Sequence, residues 1–341
     1  MKILIDIGHP AHVHYFKYFI KSMNDKNHQI LICARDKEVT HSLLKYYGFK
    51  YVSRGKGAKK ILFKFFYLIY ANYYLYKVSN KFKPDIFLSF GSTYAAQVSA
   101  FIGKPHLAFD DTEHATYEHI MYKPFTNKIF TPSSFKKDFG DKHIKFKGYM
   151  ELSYLHPNYF TPDPNVLNIL ELSKNERYII VRFVAWDASH DNNLSGLNLD
   201  IKRKCIKILS QHIKVFISSE EILPFDLEKY RINISPEMMH DALYYSSYLF
   251  GESGTMTAEC AMLGVPAIQI SGLPNDTIGT LSHLQNEYKL IKVFEKFDEN
   301  ILKEIINNLD DQSFYNKLKQ NRLKMIDENI DVTKLMIEEI E

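Results

Sequence analysis

The sequence is poor in the residues that would staple or anchor it. Its three cysteines, Cys33, Cys205 and Cys260, stand far apart, each inside an apolar segment. That spacing provides neither a disulfide framework nor a set of zinc ligands. Buried free thiols in a reducing cytosol are the expectation. No uninterrupted apolar run approaches the roughly 18–20 residues that span a bilayer. The apolar start of the chain is broken by Asp6, so it reads as a buried strand rather than a secretion signal. Repeats of solenoid period and low-complexity segments are also missing.

What is present suffices for two domains. A chain of 341 residues exceeds one ordinary core, and with 45% hydrophobic and 24% charged residues it belongs to the globular class. The net charge of +3 conceals an asymmetry, because residues 1–155 carry 24 Lys and Arg against 12 Asp and Glu, and the remainder carries 19 against 28. Halves of opposite sign suggest domains with different partners.

Short apolar runs at 2–7, 28–33, 50–52, 86–90, 106–109 and 128–131 read as strands. Helical patterns such as 15–23, 37–47 and 93–102 separate them. Strands alternating with helices give parallel βα units with right-handed crossovers and helices on both faces of a sheet. A proline-rich stretch at 148–164 marks the domain boundary. The grammar then repeats, with strands expected at 178–183, 215–218, 232–234, 248–250, 266–270 and near 290, and helices at 200–211 and 236–245. From Glu299 the tail is helical and heavily charged.

In parallel sheets ligands collect at the carboxyl ends of strands, and there the polar residues gather. His9, His12 and His14 follow the first strand; Gly91, Ser92 and Thr93 follow another; Asp110, Asp111, Glu113 and His114 follow a third. These turns offer bases, acids and small donors to one rim. In the second half Arg182 closes a strand and His190 and Asp191 come soon after. The stretch 251–270, GESGTMTAECAMLGVPAIQI, carries the clearest signal. Gly251, Glu252, Ser253, Gly254 and Thr255 form a polar turn before a helix that includes Met256 and Glu259. Free amides and the positive end of a helix dipole at Ser253–Met256 would seat a phosphate. Glu259 is placed to accept hydrogen bonds from sugar hydroxyls. The plainer alternative is an ordinary strand–turn–helix unit with a well-made N-cap.

Residues 54–83 combine lysines at both ends with a helical stretch dense in Phe, Tyr, Leu and Ile. Without a nucleic-acid motif beside it, this composition fits an interfacial helix facing anionic lipid. A long core helix whose lysines reach solvent is the alternative.

Five segments in order, DIGHPAHVHYFK, LSFGSTYAA, FDDTEHA, RFVAWDASHD and GESGTMTAE, resemble a GT-B-like family found with surface-polysaccharide genes. The match runs from Met1 to about Ile270. Residues 241–270 also look like the nucleotide-sugar signature shared by the lipid I N-acetylglucosaminyltransferase and the UDP-N-acetylglucosamine 2-epimerases. The resemblance implies an α/β, GT-B-like fold: two Rossmann-like, doubly wound parallel-sheet domains facing a central cleft. It implies an acceptor domain over 1–155, with the C-terminal helix at about 330–341 packing back on it, and a nucleotide-sugar domain over 156–329.

Carried over, the resemblance puts the UDP diphosphate on Ser253–Met256, the ribose on Glu259, and phosphate near Arg182. It places His12 at the sugar and acceptor, and Glu113 where the epimerases have an acidic residue after a corresponding strand. The chain lacks the His-Arg-x-Glu-Asn motif of the epimerases. The leading expectation is therefore a metal-independent glycosyltransferase that moves a sugar from a UDP-sugar to a surface-glycan, lipid-linked acceptor. In that reading UDP-sugar is a substrate and no cofactor is required. His12 is the first choice for acid–base work, with Glu113 and Asp111 after it; His9, Ser92, Thr93, His114, His190 and Asp191 are further cleft candidates. The protein is expected in the cytoplasm, peripheral on the inner face of the membrane, touching anionic lipid through 54–83, with no nucleic acid as partner. The alternatives are a nucleotide-sugar epimerase or hydrolase and a non-catalytic nucleotide-sugar or nucleic-acid binding module.

Overall fold

A computed structural model describes residues 1–58, 61–173, 175–183, 197–219, 222–274 and 277–341. The chain divides into two compact units, Met1–Tyr154 with Ile330–Glu341, and Leu155–Asn329.

The first unit is built on a seven-stranded sheet: β1 (Lys2–Ile7), β2 (Gln29–Ala34), β3 (Tyr51–Ser53), β4 (Ile86–Phe90), β5 (His106–Phe109), β6 (Lys128–Pro132) and β7 (His143–Phe146). Its order is β3-β2-β1-β4-β5-β6-β7, and every ladder is parallel. Strands β1, β4 and β5 are almost wholly buried, as expected of parallel strands covered on both faces. The helices are α1 (Pro10–Asp25), α2 (Thr40–Tyr46), α3 (Ile61–Phe82), α4 (Thr93–Phe101) and α5 (Thr116–Tyr122). Right-handed crossovers put α1 and α2 on one face and α3, α4 and α5 on the other, and the packing of α1 on α2, α3 on α4 and α4 on α5 agrees. The C-terminal helix Val332–Glu338 also packs on α1. It is fastened by the amide of Ile330 to the carbonyl of Lys147 at 2.9 Å and by the Thr333 hydroxyl to the carbonyl of Ser153 at 2.8 Å.

The second unit has a five-stranded parallel sheet: β8 (Tyr178–Arg182), β9 (Lys214–Ser218), β10 (Tyr248–Gly251), β11 (Ala267–Ile270) and β12 (Ile291–Phe294), in the order β12-β11-β10-β8-β9. After α6 (Leu152–Leu155) and α7 (Asn165–Ile169), it carries α8 (Leu199–Leu209), α9 (Met239–Tyr245), α10 (Gly254–Leu263), α11 (Gly279–Asn286), α12 (Glu299–Asn308) and α13 (Gln312–Glu328); the C-terminal helix is α14. One apolar cluster, including Ile179, Val181, Cys205, Leu209, Phe250, Ile268 and Ile305, joins the sheet to its helices.

Two strand expectations need correction. Residues 232–234 form no strand; only the preceding Arg231 makes an isolated bridge, with Ile217. The edge strand β7, HIKF, went unread because two of its four residues are polar. All three cysteines are buried and free. Among the described residues no helix is long and apolar enough to cross a membrane.

Each sheet reverses its winding once. In the first unit the chain leaves β1 toward β2 and returns to β4 on β1's other side; in the second, β9 and β10 flank β8. Such switch points open a crevice at the carboxyl edge, where ligands of doubly wound sheets bind.

Candidate functional sites

At the β1/β4 switch point of the first unit lies a cavity of about 590 Å³. His9 and His12 enter it from the turn after β1, Ser92, Thr93 and Tyr94 from the start of α4, and Asp110, Thr112 and His114 from the turn after β5. Arg35 and Lys37 add cationic charge from the turn after β2.

Beneath these groups is a buried ion pair that the sequence reading missed. Arg54, just past β3, forks onto Asp6 of β1, with Nε to Oδ1 at 2.9 Å and Nη2 to Oδ2 at 3.2 Å. The Ser92 hydroxyl donates to Asp6 Oδ2 at 2.6 Å. Arg54 Nη1 donates to the Tyr67 hydroxyl at 2.8 Å, and the guanidinium lies over the Tyr94 ring at 4.5 Å. Burial alone would pull the guanidinium's pKa down, but Asp6 and Tyr67 outweigh it and raise it. The visible signal was Asp6 itself, an acid inside a buried strand, where an unpaired charge is costly.

His9 is the N-cap of α1, its Nδ1 accepting from the amide of Ala11 at 3.2 Å. His12 Nδ1 accepts from the amide of Gly8 at 3.2 Å. In the neutral ring the proton is therefore on Nε2, so His12 meets a ligand as a hydrogen-bond donor. Burial, then His9, Lys37 and Arg54, hold its pKa well below the ordinary histidine value, so the ring is neutral at physiological pH. His14 is buried against Tyr154, 5.5 Å between ring centroids, and does not line the cavity.

The three acids after β5 part company. Asp110 is held by the amide of Thr112 (2.8 Å) and the Tyr122 hydroxyl (2.6 Å), with His119 Nε2 at 3.2 Å. Asp111, half-buried between two lining residues, has its carboxyl pushed up to about 7, chiefly by desolvation and then by Asp110. Glu113 turns inward: it is buried, its Oε1 accepts from the amide of Lys136 at 2.7 Å, and it does not line the cavity.

In the second unit the β8/β10 switch point brings Arg182 and Gly251 side by side in register. A Cβ on Gly251 would overlap the carbonyl oxygen of Arg182 and stand 2.7 Å from its carbonyl carbon. Only glycine lets the chain cross Arg182 here, and the amide of Glu252 then bonds that same carbonyl at 2.8 Å. Ser253 caps α10 by accepting from the amide of Met256 at 3.3 Å, and its carbonyl takes the amide of Thr257. The amides of Gly254 and Thr255 precede the first intrahelical donor, Thr257, and lie at the N-terminal end of the helix.

The acids of this turn are engaged with the protein. Glu252 accepts from the amide of Leu197 at 2.8 Å and lies 3.3 Å from Lys202 Nζ, in a pair with little exposure. Glu259 is buried, with Oε1 3.0 Å from His240 Nε2. His240, on α9, was not anticipated. Arg182 Nη1 donates to the Ser218 hydroxyl at 3.3 Å. His190 and Asp191 lie outside the described residues. Among the described residues no three His, Cys, Asp or Glu side chains are grouped to hold a metal ion.

Two Rossmann-like, doubly wound parallel-sheet units, each with its polar groups at the carboxyl-edge switch point, define a GT-B fold, the class of the glycosyltransferases and epimerases to which it is similar. Within that class, the family described as "Protein of unknown function (DUF354)" matches residues 1–341, and the chain belongs to it. It is 26% identical over 324 residues to the uncharacterized protein MJ0665 of Methanocaldococcus jannaschii, covering 91% of each chain. In structure it is similar to the UDP-GlcNAc 2-epimerase of Neisseria meningitidis bound to UDP-GlcNAc, with a TM-score of 0.69, 15% identity and 99% of both chains covered. It is also similar to the spinosyn forosaminyltransferase SpnP, with a TM-score of 0.66, 14% identity and 100% of both chains covered. At such identities the likeness establishes the fold.

Proposed function

We propose that this protein is a glycosyltransferase that takes a sugar from a UDP-sugar and passes it to a glycan acceptor, lipid-linked and presented at the cytoplasmic face of the membrane. The observation that carries the reading is the turn into α10. A glycine that no other residue can replace delivers a capped helix N-terminus to the switch point, beside Arg182. That arrangement suits a diphosphate leaving group, because preorganised amides and a helix dipole act where negative charge develops. UDP-GlcNAc and UDP are bound by structurally similar proteins, the epimerases of Neisseria meningitidis and Methanocaldococcus jannaschii among them, which supports a UDP-sugar as donor.

The first unit's cavity supplies acceptor chemistry. Deprotonating an acceptor hydroxyl needs a base poised near neutrality, and Asp111, with its carboxyl at about 7, has that property. Neutral His12 donates from Nε2 and orients the acceptor or a sugar oxygen. Arg35 and Lys37 favour an acceptor that carries negative charge.

A second reading, a nucleotide-sugar epimerase or hydrolase, draws on the gathering of Asp110, His9 and His12 around one cavity. A thermal-shift screen of UDP-, GDP-, CDP- and dTDP-sugars tests the donor site. Incubation with radiolabelled UDP-sugar then separates the reactions. Label appearing in a lipid-extractable or polymeric glycan only when acceptor is added supports transfer. Free sugar and UDP formed without acceptor, or an epimer of the donor, replaces transfer with the second reading. Salt-sensitive oligonucleotide binding with no response to any nucleotide sugar removes both.

A further inference from the structure

The helix α3 buries one narrow stripe, half-buries the residues that flank it, and exposes its outer side. Ala71, Leu75 and Ser79, four residues apart, are buried. On its outer side Phe63, Phe65, Phe66, Ile69, Tyr70 and Tyr73 are 57%, 59%, 58%, 55%, 50% and 65% exposed. At about 100° per residue these six side chains sweep an arc of roughly 160°. Scattered apolar residues are normal on a surface; six large ones on one helix face are not. The patch continues onto α4, where Phe101 is 77% exposed and its ring packs edge-on against Tyr76 of α3 at 5.4 Å.

Charge selects what covers this face. Between Glu38 and Asp85 the chain has no acidic residue and ten Lys and Arg. Lys77 and Lys81 of α3 are exposed and fall within the arc of the rings. A second copy of the chain would set this cationic face against itself in a two-fold interface, and like charges would oppose it. An anionic surface meets both the cations and the rings. The helix spans 22 residues, roughly 33 Å at 1.5 Å per residue, yet it is not apolar enough to cross a bilayer. A helix of that composition lies in the interface plane, rings in the acyl boundary and lysines among the headgroups.

We infer that the α3 and α4 face of the first unit is a docking surface for an anionic lipid bilayer, with α3 lying flat in the headgroup region. The inference stands independently of the transfer reaction, and its test uses no nucleotide sugar. The full chain is floated with vesicles of phosphatidylcholine mixed with phosphatidylglycerol and with vesicles of phosphatidylcholine alone. Flotation is expected with the mixed vesicles only, weakening as salt screens the lysines. Phe65→Ser/Phe66→Ser/Ile69→Ser is expected to abolish it. Lys77→Glu/Lys81→Glu is expected to weaken it by about fivefold or more per position. All five sites are exposed, so both variants should melt like the parent chain. If the aromatic variant misfolds, the lysine variant alone decides. The inference is overturned by no flotation with anionic vesicles at low salt, by flotation unchanged in both variants, or by a dimer in light scattering that the aromatic variant dissociates. Salt-sensitive oligonucleotide binding that outcompetes the vesicles also overturns it.

Discussion

Gly251 and Arg182 are in register on neighbouring parallel strands, and a side chain on Gly251 has nowhere to go but into the Arg182 carbonyl. The obstacle is backbone on both sides, so rotamer changes cannot relieve it. Gly251→Ala must separate β10 from β8 or break the bond from Glu252 to Arg182. We expect a loss at the upper end of the ~1–3 kcal/mol that overpacking costs, or more, seen as a lower urea midpoint or as insoluble protein. Nucleotide-sugar binding should fall in any fraction that folds, because α10 starts from this turn. A variant as stable as the parent would mean that the crossing is not tight.

Asp6 and Arg54 form the floor of the first cavity, with side chains 0% and 3% exposed. Removing one partner leaves the other charge buried, which costs ~3–5 kcal/mol, whereas replacing both can be close to neutral. Asp6→Asn and Arg54→Met should therefore each be strongly destabilising in urea titrations, and the double variant should recover much of the loss. Arg54 also lies among the charges that hold His12 down. In Arg54→Met the His12 pKa, followed by NMR of the ring protons, should rise. Additive losses in the double variant would show that the two residues do not depend on each other.

The sheets were legible because parallel strands buried on both faces are short apolar runs bounded by turns. Strands β1, β4 and β5 have the expected bounds, and the others shown differ by a residue or two. Where the signal failed, the residues explain it: β7 is a half-polar edge strand, and the alternating Ile-Asn-Ile at 232–234 follows a single isolated bridge from Arg231 to β9 without extending it. The turns that carry the site residues were legible for the same reason, since polar residues stood out at strand ends. Partners were not. Asp6 finds Arg54 48 positions away and Glu259 finds His240 19 away. Periodicity reports which way a side chain faces, not which group it meets. Glu113 shows the difference, because its position after β5 suggested the cavity while its carboxylate is taken by the amide of Lys136.

Asp111 and His12 make opposite predictions about pH. A carboxyl raised to about 7 binds a proton in the folded protein that it has lost in the unfolded chain, from the ordinary aspartate value up to about 7. Its contribution to stability therefore declines as pH rises through that window and is fully unfavourable above it. Asp111→Asn should flatten that part of the stability profile and make the protein more stable above neutrality. As the base, Asp111 should also give a rate that climbs with pH to a plateau beyond about 7. His12, with its pKa held well below the ordinary histidine value, should add no limb near neutrality. A limb near 7 that persists in Asp111→Asn and vanishes in His12→Gln would reverse the two assignments.

Glu259 tests the donor site, provided that its structural role is separated from binding. Its carboxylate lies 3.0 Å from His240 Nε2, and both side chains are buried. Glu259→Ala would strip a buried polar group of its partner, at ~1–3 kcal/mol, and lost binding in that variant could come from unfolding alone. Glu259→Gln keeps the shape and one acceptor oxygen toward His240, so its melting temperature should stay near that of the parent. If the second carboxylate oxygen receives ribose hydroxyls, the UDP-sugar thermal shift should shrink by the equivalent of about one to two factors of ten in affinity, a charge-assisted hydrogen bond being worth ~1.5–3 kcal/mol. Ser253→Ala serves as the comparison. It removes the cap at ~0.5–2 kcal/mol without touching Glu259, and should weaken UDP and UDP-sugar alike, because it disturbs the diphosphate seat rather than the ribose. Glu259→Gln with an unchanged shift would leave this residue a purely structural partner of His240 and move the ribose contact elsewhere on the second unit.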